Sequence, residues 1–306
     1  MQPIDPVIIE LLGEPGAQGS VADLSADQLR QAARDSVALY NEGVEQIPVD
    51  AVTDERIGDF AVRVYRPDDP TAVFTYFHGG AWITGDLDTI DPVARRISRD
   101  TGAIVVSVDY RMLPEHPFPT PFDDAWDATV WASRLRPDLP FVVGGDSAGG
   151  TLTGCVALKA RDVGGPRIDV QVLIYPGIDD DMDARSVVEL GDTSYVSREN
   201  LDFFVRNYAG TEAALASPYA LPGRAASLAG LPPAVIAVAG HDLLRTSNEN
   251  YAARLEAAGV PVTVLLDPEQ VHSWIDYAPR VASASAAFTR LTDAVNELVT
   301  RAVTPA

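Results

Sequence analysis

Apolar, β-branched runs recur along the chain, and each is followed by turn residues and a stretch whose apolar positions have helical spacing. Such runs predict strands at 60–65, 73–77, 103–108, 141–143, 170–175, 234–239 and 262–266. The helical spacing predicts helices at 26–40, 90–99, 121–134, 152–161, 199–208, 248–258 and 282–301. This alternation predicts an α/β fold with a mainly parallel sheet covered on both faces. For the earliest pair, 53–57 and 60–65, an antiparallel hairpin turning at Gly58-Asp59 is the alternative.

Two segments interrupt the alternation of strand and helix. One is residues 1–49, which carry the helical pattern 26–40, and the other is residues 179–221, between two predicted sheet strands. We expect them to form the two parts of a helical cap over the carboxyl edge of the sheet, where ligands bind in open α/β sheets. The core would then comprise residues 50–178 and 222–306.

A serine stands at the centre of a glycine-rich turn. Gly145-Asp146-Ser147-Ala148-Gly149 follows the apolar run 140–144 and precedes the helical stretch 151–161. Strand, sharp turn and helix are the context of a Gly-x-Ser-x-Gly nucleophile elbow, in which glycines permit a tight bend and close approach of a substrate carbonyl. The alternative is an ordinary glycine-rich loop between strand and helix. Ser147 is therefore a candidate catalytic nucleophile.

A serine nucleophile needs a base within hydrogen-bond reach, and the base needs an orienting acid. In elbows of this type the chain order is serine, acid, histidine. His272 follows the predicted strand 262–266, and Asp242 follows the neighbouring strand 234–239, so both are expected at the carboxyl edge near Ser147. Otherwise Asp242 would cap the next helix and His272 would be an exposed loop residue. His241 is an alternative, less suitable base because it adjoins Asp242.

A Gly-Gly pair earlier in the chain is the candidate source of backbone amides for an oxyanion hole. His78-Gly79-Gly80-Ala81 follows the predicted strand 73–77. Acyl transfer places negative charge on the former carbonyl oxygen, and backbone N–H groups aimed at that position stabilise it. The N–H groups of Gly79, Gly80 and Ala148 are the predicted donors. The alternative is a simple Gly-Gly turn.

Several motifs in one order give the chain a family resemblance. It resembles the bacterial hormone-sensitive-lipase-like esterases, family IV carboxylesterases of the α/β-hydrolase fold, over about residues 60–301. The resemblance is carried by His78-Gly79-Gly80, Trp82, Gly85-Asp86, Tyr110-Arg111, Pro114 to Pro117, Gly145 to Gly150, Tyr175-Pro176, Asp242 and His272. It implies a serine carboxylesterase with a helical cap, acting on short- to medium-chain acyl esters without a cofactor or metal.

The departures from the family pattern concern specificity. Ala81 stands where the family usually has a third glycine, Leu243 where it usually has proline, and Ser273-Trp274 where it usually has glycine and phenylalanine. Trp82, Asp146 and Trp274 are further candidates for substrate binding, although Trp82 could equally be a core residue.

Composition limits the partners. The 306 residues include 44 acidic and 23 basic side chains, a net charge of −21, which disfavours nucleic acid and anionic membranes. No run approaches the ~20 apolar residues of a membrane helix, and residues 1–10 lack the basic residue of a secretory signal. We therefore expect a cytoplasmic protein with a small ester as its substrate. An exposed edge strand near 262–266 would suit a homodimer.

Alternative functions stay open at the level of the sequence. The same machinery serves hydrolysis of a lactone or an amide, or acyl transfer to an alcohol. A non-catalytic ligand receptor on the same fold is a third reading, although such a receptor would be expected to lack a member of the triad.

Overall fold

One eight-stranded sheet forms the centre of the described part of the chain, residues 2–17 and 19–303 of a computed structural model. The strands are β1 (Ala51–Ile57), β2 (Phe60–Arg66), β3 (Ala72–Phe77), β4 (Ala103–Asp109), β5 (Phe141–Asp146), β6 (Val170–Ile174), β7 (Ala234–His241) and β8 (Val262–Val271). Their spatial order is β1-β2-β4-β3-β5-β6-β7-β8. β2 pairs antiparallel with β1 and β4, and the other pairs are parallel. The mainly parallel sheet is confirmed, and the earliest strands form the antiparallel hairpin.

Helices connect the parallel strands and cover the sheet. They are α1 (Pro6–Leu12), α2 (Ala26–Tyr40), α3 (Asp91–Thr101), α4 (Thr120–Ala132), α5 (Ala148–Val163), α6 (Arg185–Leu190), α7 (Arg198–Ala209), α8 (Glu212–Leu215), α9 (Arg245–Ala257) and α10 (Ala282–Val303). The short helices α1, α6 and α8 were not predicted. In the described residues, no helix combines the length and apolar character needed to cross a bilayer.

Alternate residues of the buried strands supply two separate cores. In β3, Phe74 and Tyr76 join the core that contains α3 and α10, whereas Val73 and Phe77 join the core that contains α4 and α5. A further core packs α5 against α9. Because successive side chains of a strand point to opposite faces, these apolar runs are buried on both sides, as a parallel sheet requires.

The strand ends bring distant parts of the sequence to one edge. Ser147 follows β5, Asp242 follows β7, and His272 follows β8 directly. β5, β7 and β8 run parallel, so their carboxyl ends lie at the same edge of the sheet. This is the edge at which open α/β sheets place their ligands.

The N-terminal segment contacts the 179–221 insertion. Ser20 Oγ donates to Glu199, the N–H of Val21 donates to Asn200 Oδ1, and Tyr195 Oη donates to the carbonyl of Gly13. A capping box at Ser25, closed by Gln28, begins α2 in the first of these segments.

Candidate active site

Ser147 lies on a strained turn between β5 and α5. Its φ of 51° and ψ of −117° are unusual for a residue with a side chain. Its N–H donates to the carbonyl of Ile174 at 2.8 Å, which ties the turn to β6. Gly149 has no room for a side chain, because a Cβ there would collide with the Phe77 carbonyl. The elbow therefore depends on close backbone packing against the end of β3, and the Ser147 side chain remains partly accessible.

The structure brings the three predicted catalytic side chains into one chain of hydrogen bonds. Ser147 Oγ lies 2.8 Å from His272 Nε2, and His272 Nδ1 lies 2.7 Å from Asp242 Oδ2. The other oxygen of Asp242 accepts the Leu244 N–H at 2.9 Å. An ionised carboxylate only accepts hydrogen bonds, so Nδ1 carries a proton and Nε2 is free to accept the serine proton. This is the arrangement required of a nucleophile, its base and its orienting acid.

The environment of His272 shifts its basicity upward. Burial acts to lower the pKa of His272, but the charge and hydrogen bond of Asp242 raise it above its ordinary value, and Asp146 and Asp276 add to this effect. Only 8% of His272 and 1% of Asp242 are exposed. Little water therefore screens the interaction of this pair, and Asp242 favours the protonated form of His272.

One of the three backbone N–H groups predicted as oxyanion donors already has a protein acceptor. The N–H of Gly79 donates to Asp146 Oδ1 at 2.9 Å, so it is already committed and the prediction for Gly79 is corrected. Among the described residues, no acceptor is found for the N–H groups of Gly80, Ala81 and Ala148. The Gly-Gly pair in the sequence does not reveal which amide the Asp146 carboxylate would take.

Asp146 positions the glycine loop. Its Oδ1 accepts hydrogen bonds from the Gly79 amide and from Tyr76 Oη, the latter at 2.7 Å. Burial raises the pKa of Asp146, whereas the hydrogen bonds from Tyr76 and from the Gly79 amide oppose the rise. This predicted substrate-binding residue thus ties β5 to the loop that follows β3, and its side chain also reaches the wall of a cavity.

His78 is a structural member of the same loop. Its Nδ1 lies 2.7 Å from the carbonyl of Gly79, which only accepts, so Nδ1 carries the proton. The ring stacks on Tyr110 with centroids 4.4 Å apart, and Tyr110 Oη donates to the His78 carbonyl. Burial lowers the pKa of His78. The His78 ring is therefore neutral and supports the glycine loop. It is not part of the hydrogen-bond chain of Ser147, His272 and Asp242.

A cavity of about 440 Å³ opens on Ser147, and we call it the apolar lobe. Both segments outside the alternating pattern contribute to its wall. The apolar side chains that line it are Val21, Leu29, Trp82, Ile83, Val196, Leu201, Phe204, Val205 and Leu244. A chain of methylene groups placed beside Ser147 would therefore be removed from water on several sides.

The two tryptophan predictions have different outcomes. Trp82 lines the apolar lobe and stacks on Tyr208, with ring centroids 3.9 Å apart. Trp274 is fully buried in the core beside Tyr175 and Phe288 and lines neither cavity next to the triad. Its prediction as a substrate-binding residue is corrected, because a neighbour in sequence to the catalytic histidine need not face the same side. His241 contacts the Gln2 carbonyl instead of the serine.

A second cavity, of about 400 Å³, adjoins the first and is also lined by His272, and we call it the polar lobe. The two lobes share eight wall residues, which are Ala33, Ser36, Gly80, Thr84, Tyr195, Val196, His272 and Ser273. Polar or aromatic residues that line the polar lobe alone are Tyr40, His78, Thr89, Asp146, Asp276 and Tyr277, and apolar ones are Leu12, Val37 and Ile90. Asp276 was not predicted, because no motif marks it; its spacing of four residues from His272 is the only signal.

Among residues 2–17 and 19–303, no group of three or more His, Cys, Asp and Glu side chains is arranged to hold a metal ion. The hydrogen-bonded side chains of Ser147, His272 and Asp242 support proton transfer and nucleophilic attack.

Comparison with known proteins agrees with the fold. A family model described as alpha/beta hydrolase fold matches residues 74–276. Esterase LipI of Mycobacterium tuberculosis (strain ATCC 25618 / H37Rv) is 42% identical over 94% of this chain and 92% of its own. Carboxylesterase NlhH of the same strain is 38% identical over 93% of this chain and 92% of its own. The crystal structure of a Pyrobaculum calidifontis esterase (monoclinic form) superposes with a TM-score of 0.88 and 31% identity, covering 99% of this chain and 100% of that one.

The chain therefore belongs to the α/β-hydrolase fold family. Within that family it is a hormone-sensitive-lipase-like family IV esterase, which makes it a carboxylic ester hydrolase.

Proposed function

We propose that this carboxylic ester hydrolase works through an acyl-enzyme on Ser147, with His272 as the base and Asp242 as the orienting acid. The observation that carries the proposal is the continuous hydrogen-bond chain, 2.8 Å from Ser147 to His272 and 2.7 Å from His272 to Asp242. It rests on an elbow at the carboxyl edge of the sheet, where a substrate has access.

The proposed reaction has two similar halves. His272 Nε2 takes the Ser147 proton as Oγ attacks the ester carbonyl carbon, and the carbonyl electrons move to the oxygen. When this intermediate collapses, the C–O bond to the alcohol breaks and His272 gives its proton to the leaving oxygen. Water then attacks the acyl-enzyme with His272 again as base, which releases the carboxylic acid and restores Ser147.

The proposed oxyanion donors are the amides of Gly80, Ala81 and Ala148. They replace the predicted set because Gly79 already donates to Asp146, whereas these three lack a protein acceptor in the described residues. Ala148 is the first residue of α5, so the positive end of the helix dipole supports the same charge. Each such donor is typically worth roughly 3–4 kcal/mol in the transition state.

The acyl chain is assigned to the apolar lobe. Apolar side chains dominate its wall, and its volume of about 440 Å³ suits a short or medium chain. Each buried methylene group contributes about 0.8 kcal/mol, so kcat/KM should rise with chain length until the lobe is full and then fall. The wall includes Leu29 from the N-terminal segment and Phe204 from the insertion, which supports a helical cap formed by residues 1–49 and 179–221.

The test combines chemical labelling with a series of p-nitrophenyl esters. A fluorophosphonate should modify Ser147 once per chain, as located by peptide mass spectrometry, and Ser147→Ala should abolish both labelling and hydrolysis. Hydrolysis at the parental rate by a folded Ser147→Ala variant would overturn the proposal. Parallel rates for lactones and anilides would show whether the preferred bond is a linear ester.

A homodimer paired along β8 is the proposed assembly. β8 is an edge strand, and Val264 and Leu266 on it are 42% and 43% exposed, which is unusual for apolar strand residues. Light scattering should give twice the chain mass, and Val264→Lys should give the monomer. A monomeric parent at micromolar concentration would refute this assembly, whereas the catalytic proposal does not depend on it. The predicted cytoplasmic location stays a prediction.

A further inference from the structure

The polar lobe contains an unusual combination of side chains. Two carboxyl groups, Asp146 and Asp276, and three tyrosines, Tyr40, Tyr195 and Tyr277, line it. Among the described residues, its wall includes no lysine or arginine. Elsewhere, the buried acid Asp124 pairs with Arg111 at 2.7 Å. The wall of the polar lobe therefore brings two acidic groups together, and the basic side chains on it are His78 and His272.

Asp276 is the least satisfied of these acids. Asp146 accepts hydrogen bonds from Tyr76 and Gly79, whereas no hydrogen bond or ion pair to the Asp276 side chain is found in the described residues. Burial raises the pKa of Asp276 to about 8, the charge of Asp146 adds to the rise, and that of His272 opposes it. A carboxyl group this perturbed inside a cavity lacks a counter-charge, and a bound cation would supply it.

The aromatic part of the wall fits the same kind of ligand. Tyr40 and Tyr277 contact each other edge to face, with ring centroids 6.0 Å apart, and Tyr195 lies on the same cavity. Aromatic rings attract ammonium groups through their quadrupole, and quaternary ammonium ions are recognised in this way. The wall also includes the apolar Leu12, Val37 and Ile90. Carboxylates, aromatic rings and aliphatic groups around a cavity of about 400 Å³ thus suit an alkylammonium head, which is charged but carries alkyl groups, better than an anion.

The position of the lobe indicates which part of the substrate would carry the charge. His272 lines both lobes, whereas Ser147 and Ala148 line only the apolar lobe. In the proposed mechanism His272 gives its proton to the leaving oxygen, so the alcohol part of the ester lies along the imidazole. With the acyl chain in the apolar lobe, the alcohol would extend toward Asp276. The net charge of −21 adds a long-range attraction for cations.

We propose that the polar lobe is a cation site that selects esters of amino alcohols, with the ammonium group held between Asp276, Asp146 and the tyrosines. The proposal rests on the proposed ester hydrolysis and deepens it by naming the class of alcohol. Asp276 is the specificity-determining residue, and the triad alone carries out bond cleavage.

A pair of isosteric substrates tests this directly. Butyrylcholine and 3,3-dimethylbutyl butyrate differ in a quaternary nitrogen against a quaternary carbon, so the ratio of their kcat/KM values isolates the charge. We expect the parent to prefer butyrylcholine by about tenfold or more at pH 8.5, consistent with a desolvated cation–π contact and a carboxylate. Asp276→Asn should lower the ratio at least about fivefold, mainly through KM for the cationic ester.

Matched controls separate the local effect from the overall charge. Asp183→Asn removes the same charge from a side chain that is 96% exposed, and it should leave the ratio unchanged. Asp276→Glu should restore part of the preference that Asp276→Asn loses. An equal effect of Asp183→Asn and Asp276→Asn would assign the preference to the overall field and overturn the site.

The outcomes distinguish the two proposals. Hydrolysis of the neutral ester with a ratio near one in the parent would overturn the cation site and leave the esterase proposal intact. Failure of the folded parent to hydrolyse either ester, together with p-nitrophenyl butyrate, would overturn the proposed function itself. A readout that needs no variant is competitive inhibition of p-nitrophenyl butyrate hydrolysis by tetramethylammonium. It should be stronger at pH 9 than at pH 6.5 as Asp276 ionises, and absence of competition would count against the site.

Discussion

The hydrogen bond between Tyr76 and Asp146 links the core of the sheet to the loop that carries two of the proposed oxyanion donors. Tyr76 is fully buried and Asp146 is 3% exposed, and their oxygens are 2.7 Å apart. Asp146 in turn accepts the Gly79 amide, one residue before the proposed donors Gly80 and Ala81. Tyr76→Phe removes a single oxygen atom and leaves the ring in place, so it isolates this bond.

The expected loss follows from the chemistry of the pair. A hydrogen bond to a charged group contributes about 1.5–3 kcal/mol net, and the Asp146 carboxyl would retain only the Gly79 amide on Oδ1. We therefore expect the free energy of unfolding to fall by about 1.5–3 kcal/mol. We also expect kcat to fall by roughly tenfold, about 1.4 kcal/mol, because the loop is less firmly held while all oxyanion donors remain present.

The control is Tyr251→Phe, because the Tyr251 hydroxyl is buried in α9 without a hydrogen-bond partner in the described residues. Its removal should be neutral or slightly stabilising. Urea unfolding gives the free energies, and initial rates with p-nitrophenyl butyrate give kcat and KM. Equal stability and equal kcat for the two variants would refute the role assigned to the Tyr76–Asp146 hydrogen bond.

Three further changes have defined outcomes. Asp242→Asn should lower kcat by about 10⁴ with little change in KM, since the amide favours the wrong imidazole tautomer; a loss below tenfold would contradict the assignment. Because neighbouring carboxylates raise the pKa of His272 and only neutral His272 acts as base, kcat/KM should rise with pH about a midpoint above the ordinary value of ~6.5. Ala81 has a φ of 54°, in a region that costs a residue with a side chain about 1–2 kcal/mol. Ala81→Gly should therefore raise the free energy of unfolding by up to about 1 kcal/mol, after the entropic cost of glycine. The control Ala253→Gly, within α9, should lower it by about 1 kcal/mol, and calorimetry measures both.

Much of the fold could be predicted because strand and helix differ in period. Apolar runs in a parallel sheet are continuous, so β3 to β7 were visible as runs, and the chain order of serine, acid and histidine placed the site at one edge. β8 was predicted to end at Leu266 but continues to Val271, because pairing with β7 resumes after an irregularity at Ala239 to His241. The short helices α1, α6 and α8 contain too few turns to show a period.

The details of the site were less predictable because they depend on side-chain direction. The Gly79 amide is taken by Asp146, and this follows from where a buried carboxyl group turns, which no motif specifies. Trp274 was placed in the pocket because it lies near His272 in sequence, yet it packs into the core. Asp276, by contrast, reaches the polar lobe beside His272 without belonging to a known pattern.

The central claim is that an acyl group passes through Ser147, and trapping that intermediate tests it most directly. Acid-quenched samples of p-nitrophenyl butyrate turnover, analysed by intact-mass and peptide mass spectrometry, should show one butyryl group on the peptide containing Ser147. The adduct should accumulate within the first turnover with a matching burst of p-nitrophenol wherever deacylation is the slower half. Burst release of p-nitrophenol while the acyl group is found on another residue, with Ser147 unmodified, would contradict the account.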